Sequence, residues 1–182
     1  KAAKIAKGQY LLFLNSDTEL RNEAIELFLR YFGNNKNDKI GAIGCMLENH
    51  HEDFIHSYGL FPRYYRLIGF YIKGLLKIPY HYILQKINDG KCFNIFLKIE
   101  IYKEDVEYIT GADLFIPRQV FDELEGFDEK FFLYYEETDL QHRMMYKGYK
   151  RKIIKGPRIY HLNGGSFVND IGLKSLTNFQ KR

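Results

Sequence analysis

A chain of 182 residues, 46% hydrophobic and 16% aromatic, is long and apolar enough to bury the core of one folded domain, which excludes a disordered segment. Its formal net charge of +4 is compatible with a phosphate-bearing ligand or an anionic surface but too small to argue for nucleic acid. The two cysteines, Cys45 and Cys92, make no CxxC metal spacing and read as reduced thiols of an intracellular protein. In chain order, "KAAKIAK" reads as a helix end stopped by Gly8, and "QYLLFL" as a continuous apolar strand. That opening has no apolar core stretch of a signal peptide, and a helix end running straight into a strand reads as a piece of something longer. The strand stops at Asn15-Ser16-Asp17, and "NEAIELFLRYFG" follows with Ile25, Phe28, Leu29 and Phe32 at helical spacing and Gly33 as its stop. "IGAIGCML" is a short apolar strand whose glycines allow close backbone approach.

Residues 49 to 106 read differently. "ENHHEDFIHSYG" is polar and loop-like, with His50, His51 and His56 solvent-facing beside Glu52 and Asp53. The stretch 61–87 carries Arg63, Arg66, Lys73, Lys77 and Lys86 and no acid, and Lys73, Lys77 and Pro79 break its apolar runs too often for a membrane-spanning helix. Such a basic aromatic stretch suits either an anionic membrane surface or helices packed on the domain with solvated lysines. From Glu107 onward, "VEYITGADLFIP" reads as a strand with Gly111-Ala112 at its middle, and "RQVFDELEGFDE" as a short helix stopped at Gly126. An aromatic stretch then leads into a helix that ends at Gly148, in which Asp139 and Arg143 stand four apart as an ion pair. A last strand ends at His161, and the tail after Gly165 is loop and weak helix. The alternation is that of an α/β fold, a sheet covered by helices.

Three places put polar side chains at the ends of apolar segments: Asn15-Ser16-Asp17, Glu136-Glu137 with Asp139, and His161. Ligands of open α/β sheets bind outside the carboxyl ends of strands, so the three can converge. Asp17 and His161 offer hard oxygen and borderline nitrogen to Mn2+ or Mg2+, a cation that would hold a diphosphate. Glu136 and Glu137 open a helix, where one of them can serve as a general base. Each has a structural alternative: Asp17 as a cap of the next helix, the glutamates as first-turn charges, His161 as a core or strand-end histidine.

In order, "YLLFLNSDTEL", "YITGADLFIPRQVFDELEGFDEKFFLYYEETDLQHRMMYKGYK" and "PRIYHLNGGS" resemble the inverting glycosyltransferases of family two, and among them the rhamnosyltransferase-like members that build bacterial surface polysaccharides. The resemblance covers residues 1 to about 48 and 107 to 168. It implies a GT-A fold, Rossmann-like, with a mixed and mostly parallel sheet flanked by helices. It also implies one partial catalytic domain over 1–182: a DxD-containing part at 1–48, a variable insert at 49–106, an acceptor and catalytic part at 107–168, and a tail at 169–182. The family's first nucleotide-binding strands have no counterpart in this chain. By position, Asp17 resembles the DxD aspartate that ligates the metal, with Asn15 and Ser16 against the nucleotide-sugar, and His161 resembles the second metal ligand. Glu137 stands where the family usually has the catalytic Asp, keeping the carboxylate one methylene further out and leaving Glu136 as the alternative base. Gly111, Ala112 and Asp113 would line the sugar and acceptor side, with Glu136 and Asp139 flanking the base.

The activity implied is transfer of a sugar from a nucleotide-diphosphate donor to a glycan or lipid-linked glycan, with inversion and with Mn2+ or Mg2+. It would take place in the cytoplasm, at the inner membrane face if 61–87 makes peripheral contact. Two alternatives stand beside it, a sugar-phosphate nucleotidyltransferase and a non-catalytic glycan-binding or assembly module, which would not need Asp17 and His161. "NSDTE" lacks the first Asp of a DxDxT phosphatase.

Overall fold

The computed structural model describes residues 2–49, 52–55, 57–63, 102–132 and 134–162. Residues His50, His51, His56 and Cys92, the stretch 61–87 beyond Arg63, and the tail after Gly165 lie outside them. The chain divides into two compact units, Lys1–Phe61 with Tyr102–Arg182, and Pro62–Ile101. All described secondary structure belongs to the first.

That unit runs α1 (Ala2–Ile5), β1 (Tyr10–Leu14), β2 (Thr18–Leu20), α2 (Ala24–Asn34), β3 (Ile40–Glu48), β4 (Phe54–Ile55), β5 (Tyr58–Gly59), β6 (Tyr108–Ile109), β7 (Asp113–Pro117), α3 (Arg118–Glu123), α4 (Glu136–Tyr146) and β8 (Lys150–His161). Its main sheet has the order β1-β7-β3-β8-β2, with β4 on β3, and β5 pairs β6 separately. The sheet is mixed and flanked by helices, as expected, but the balance within it is not mostly parallel. Only β3 and β8 run parallel; β1–β7, β3–β7, β3–β4 and β2–β8 are antiparallel. Continuous apolar text reports burial on both faces, and a strand covered on both faces reads the same whichever way its neighbour runs.

Two cores result, one on each face. Successive side chains of a strand point to opposite faces, so in β3 Ala42 and Met46 enter one cluster while Ile43, Cys45 and Leu47 enter the other. The first core is closed by Val120 and Phe121 of α3 and Leu140 and Met144 of α4. The second is closed by Ala24, Phe28 and Phe32 of α2, with the Phe28 and Phe115 rings stacked at 5.1 Å. These α2 residues are four apart and form one row. Ile25 and Leu29 belong to the neighbouring row and stay exposed at 43% and 42%. The helix also passes Gly33 and ends at Asn35, whose side-chain Nδ2 donates to Tyr31 O at 2.8 Å. β1 is an edge strand of the described sheet, half-buried rather than central: Leu11 alone is buried in it.

Two further differences shape the site. The residues after Asp17 form a short strand, not a helix, and α2 starts seven residues later at Ala24. Asp17 therefore caps no helix. The "VEYITGADLFIP" strand is two strands, β6 and β7, separated by a turn at Gly111-Ala112.

Candidate functional site

The turn at Asn15-Ser16-Asp17 is held by Thr18, whose Oγ1 and N–H both donate to Asn15 O, at 2.7 and 3.2 Å. β2 then pairs antiparallel with the end of β8 in the register Thr18↔His161, and Leu162 N–H donates to Asp17 O at 3.0 Å. His161 is aimed there by a bulge. The β3–β8 register jumps from Cys45↔Ile154 to Leu47↔Ile159, across Gly156 at φ +111. Asn22 braces that bulge, its Nδ2 donating to Gly156 O at 2.8 Å and its Oδ1 accepting from Arg158 N–H at 2.9 Å. The outcome is a close pair, His161 Nε2 at 3.2 Å from Asp17 Oδ1, with the Asn15 amide nitrogen 3.4 Å from the same Nε2. Ser16 is exposed in the same turn.

The other face of the turn reaches the acidic helix start. Asn15 N–H donates to Ala112 O at 3.4 Å, continuing the β1–β7 register of Leu14↔Asp113. Gly111, next in line, lies against Glu137: a Cβ on Gly111 would stand 3.7 Å from Glu137 Cγ. Asp17, His161, Asn15, Gly111-Ala112 and Glu137 thus form one continuous patch at the end of the sheet. Burial, and then the neighbouring Glu136 charge, raises the Glu137 carboxyl to about 7. Burial likewise raises Glu136, whose Oε2 is buried without a partner.

Asp113 and Asp139 take structural positions. Asp113 is fully buried, and its Oδ2 accepts from Cys45 N–H at 2.6 Å; burial raises its carboxyl to about 7 despite that bond. The same burial pushes the Cys45 thiol up. Asp139, also fully buried, receives Arg143 Nε at 2.9 Å, the ion pair its spacing predicts. Arg143 in turn donates to the carbonyls of Leu124 and Gly126, so it ties α4 to the turn after α3. That turn needs its glycine: Gly126 has φ +69, and a Cβ there would stand 2.9 Å from Phe121 Cε1.

Gln141 went unread in the sequence. Fully buried on α4, it accepts Ile109 N–H and donates to Ile109 O, both at 2.7 Å, and donates to Glu137 O at 3.0 Å. It therefore acts as a strand partner for β6 and fixes the approach to Gly111 relative to Glu137. A second unread pair is Glu48, buried at the end of β3, and Arg158, which grips it with Nε at 2.6 Å and Nη2 at 3.0 Å. Neither carried a local signal, because each partner lies tens of residues away in the chain.

No family model matches the chain, and no curated protein does. Over 98% of its length the chain is similar to the crystal structure of GalNAc-T7 with UDP, GalNAc and Mn2+, at 13% identity and a TM-score of 0.59. The fold is that of the GT-A glycosyltransferases. The chain spans 32% of that solved chain.

A metal can be tested against this GT-A framework on the side chains present. Among the described residues no three His, Cys, Asp or Glu side chains gather into a complete cage. Asp17 and His161 bring one carboxylate and one imidazole nitrogen to within 3.2 Å of each other. That pair fits a cation that keeps most of its positions for water and phosphate oxygens, as Mg2+ and Mn2+ do in nucleotide sites.

Proposed function

We propose that this chain is part of a metal-assisted inverting glycosyltransferase, rhamnosyltransferase-like, which moves a sugar from a nucleotide-diphosphate donor to a glycan or lipid-linked glycan in bacterial surface-polysaccharide synthesis. The observation that carries the reading is the continuity of the patch: a cation-type pair, Asp17 and His161, joined through Asn15 and Gly111-Ala112 to a carboxylate poised near neutrality, Glu137. Asp17 and His161 hold the donor's diphosphate end, with Asn15 and Ser16 against the nucleotide-sugar. A bound Mn2+ or Mg2+ supplies Lewis-acid compensation for the charge that grows on the departing diphosphate. Glu137 takes the proton from the acceptor hydroxyl, whose oxygen attacks the anomeric carbon opposite the diphosphate and inverts it. Glu136, one residue earlier and itself raised, holds up the basicity of Glu137 by its charge. Gly111, Ala112 and Asp113 shape the sugar side, Asp113 from behind as a buried brace. Asp139 acts through Arg143, fixing the angle at which α4 presents the glutamates.

The chain is read as one partial GT-A domain with 49–106 as a variable insert. The acid-free basic stretch 61–87 favours acceptors presented at the cytoplasmic membrane face. Among the described residues no helix is long and apolar enough to cross a membrane.

Calorimetric titration with pyrophosphate and with UDP, with and without Mn2+, tests the donor half. Pyrophosphate isolates the diphosphate from the nucleobase. The reading expects metal-dependent binding that is lost in Asp17→Ala and in His161→Ala. Binding of equal strength in all three proteins, or none in the unchanged chain, would contradict it.

A further inference from the structure

The backbone just before Glu136 adopts a conformation that its residue types disfavour. Tyr134 and Tyr135 have φ of 65° and 69°, in the left-handed region that bulky side chains avoid. Tyr135 is the residue that caps α4, and its C=O accepts Asp139 N–H at 2.8 Å. Its ring and that of Tyr108 pack against a buried aromatic pair, Phe61 and Phe131, with Tyr108 stacked on Phe61 at 5.9 Å. Both phenols stand within the electrostatic reach of Glu137: after burial, the Glu137 charge is the next cause that raises each of them, Tyr108 to about 12. Next to the buried Phe131, Phe132 is 85% exposed. Polar groups are left over in the same place. Thr110 Oγ1, between β6 and Gly111, and Glu136 Oε2 are buried with no partner.

We infer that Tyr135 and Tyr108, with Phe132 at the rim, form an aromatic platform that binds the acceptor as a pyranose ring. The inference rests on the transferase reading, because that reading puts the acceptor beside Glu137. A hydroxyl that gives its proton to Glu137 comes within hydrogen-bond reach of it. The ring bearing that hydroxyl then lies over whatever flanks Glu137, and the flanking groups are Tyr135 and Tyr108. A pyranose has one face of C–H groups and an edge of hydroxyls. The site matches both, with ring faces backed by a buried cluster and unsatisfied polar atoms of Thr110 and Glu136 beside them. A lipid tail would match the rings but leave those polar atoms unmet. The left-handed pair at Tyr134 and Tyr135 is what turns an aromatic side chain toward the first turn of α4, where glycine would be the ordinary choice.

Saturation-transfer NMR with methyl hexopyranosides (rhamnoside, glucoside, galactoside and mannoside) on the chain with UDP and Mg2+ tests the platform. The expected result is saturation concentrated on the C–H groups of one ring face for at least one sugar. Binding should be about tenfold weaker in Tyr135→Gly, the scale of one lost ring contact, and kept in Tyr135→Phe. Tyr135→Gly relieves the left-handed backbone, so its fold is retained, and Phe132→Ala alters only an exposed side chain and should weaken the sugar in the same direction. No saturation of any sugar, or saturation undiminished in Tyr135→Gly, overturns the platform whether or not UDP binds. Sugar binding that needs Tyr135 in a chain that does not bind UDP would uphold the platform and remove the transferase reading instead.

Discussion

Glu137 is half-buried beside Tyr108, Tyr135 and Glu136, and its carboxyl stands near 7 where an unburied glutamate would stand near 4.5. A base works only when ionised, so the transfer rate should climb with pH through about 7 and then level off. Glu137→Gln should lower kcat by about a hundredfold to ten-thousandfold with little change in UDP binding, read from initial rates and titration. The same shift has a cost in stability. A carboxyl whose folded value is raised binds more protons folded than unfolded between about 4.5 and about 7, so its contribution turns against the fold as pH rises through that window. The glycines at this scale divide by what surrounds them. A Cβ on Gly44 would stand 2.6 Å from Ile109 Cγ2 and 3.0 Å from Asp113 Oδ2, whereas a Cβ on Gly33 meets nothing within 4 Å. Urea denaturation should find Gly44→Ala destabilised by about 1–3 kcal/mol, and Gly33→Ala stabilised by about 0.5–1 kcal/mol as a helical glycine replaced.

At the scale of elements, what positions the patch is a set of long-range backbone bonds. Gln141 stands in for a missing neighbour of β6, so Gln141→Leu would leave Ile109 N–H and O buried without partners. About 1–3 kcal/mol per group is the expected loss, measurable by chemical denaturation, together with a weaker hold of Gly111 on Glu137. Nothing in the text around Gln141 announces that role, since a glutamine inside a helix is ordinary. Helix α2, α3 and α4 and strands β1, β3 and β8 were legible because their apolar periodicity and their glycine stops are local. Strand direction was not legible, because burial on both faces leaves one continuous apolar run in either orientation. The row of α2 that faces the sheet was ambiguous for a related reason: Ile25 and Leu29 are as apolar as Phe28 and Phe32, and only the sheet decides between adjacent rows. The left-handed Tyr134 and Tyr135 gave no sign either, as tyrosine is not a turn residue.

For the molecule as a whole, the polar residues at Asn15-Ser16-Asp17, Glu136-Glu137 and His161 were visible as breaks at the ends of apolar runs, and the structure brings them to one sheet edge. The pieces that hold them there were not visible: the Asn22-braced bulge before His161, the Asn15–Ala112 bond and the contact of Gly111 with Glu137 join positions far apart in the chain. Outside this unit the basic stretch 61–87 carries a separate expectation. Sedimentation with vesicles should show binding when they contain anionic lipid and release as salt is raised, since attraction to such a surface falls within a Debye length. Vesicles left unbound at low salt would separate that stretch from any membrane role.

The central claim is that Asp17 and His161 hold a cation-bound diphosphate beside Gly111-Ala112 and Glu137. Paramagnetic broadening of backbone amide signals by Mn2+ with pyrophosphate tests it most directly, because it reports place rather than activity. The account predicts the strongest broadening at Asn15, Ser16, Asp17, His161 and Leu162, a lesser effect at Gly111, Ala112 and Glu137, and loss of both in Asp17→Ala. Broadening centred elsewhere, on the acidic turn at Glu125–Glu129 for instance, or undiminished in Asp17→Ala, would contradict it.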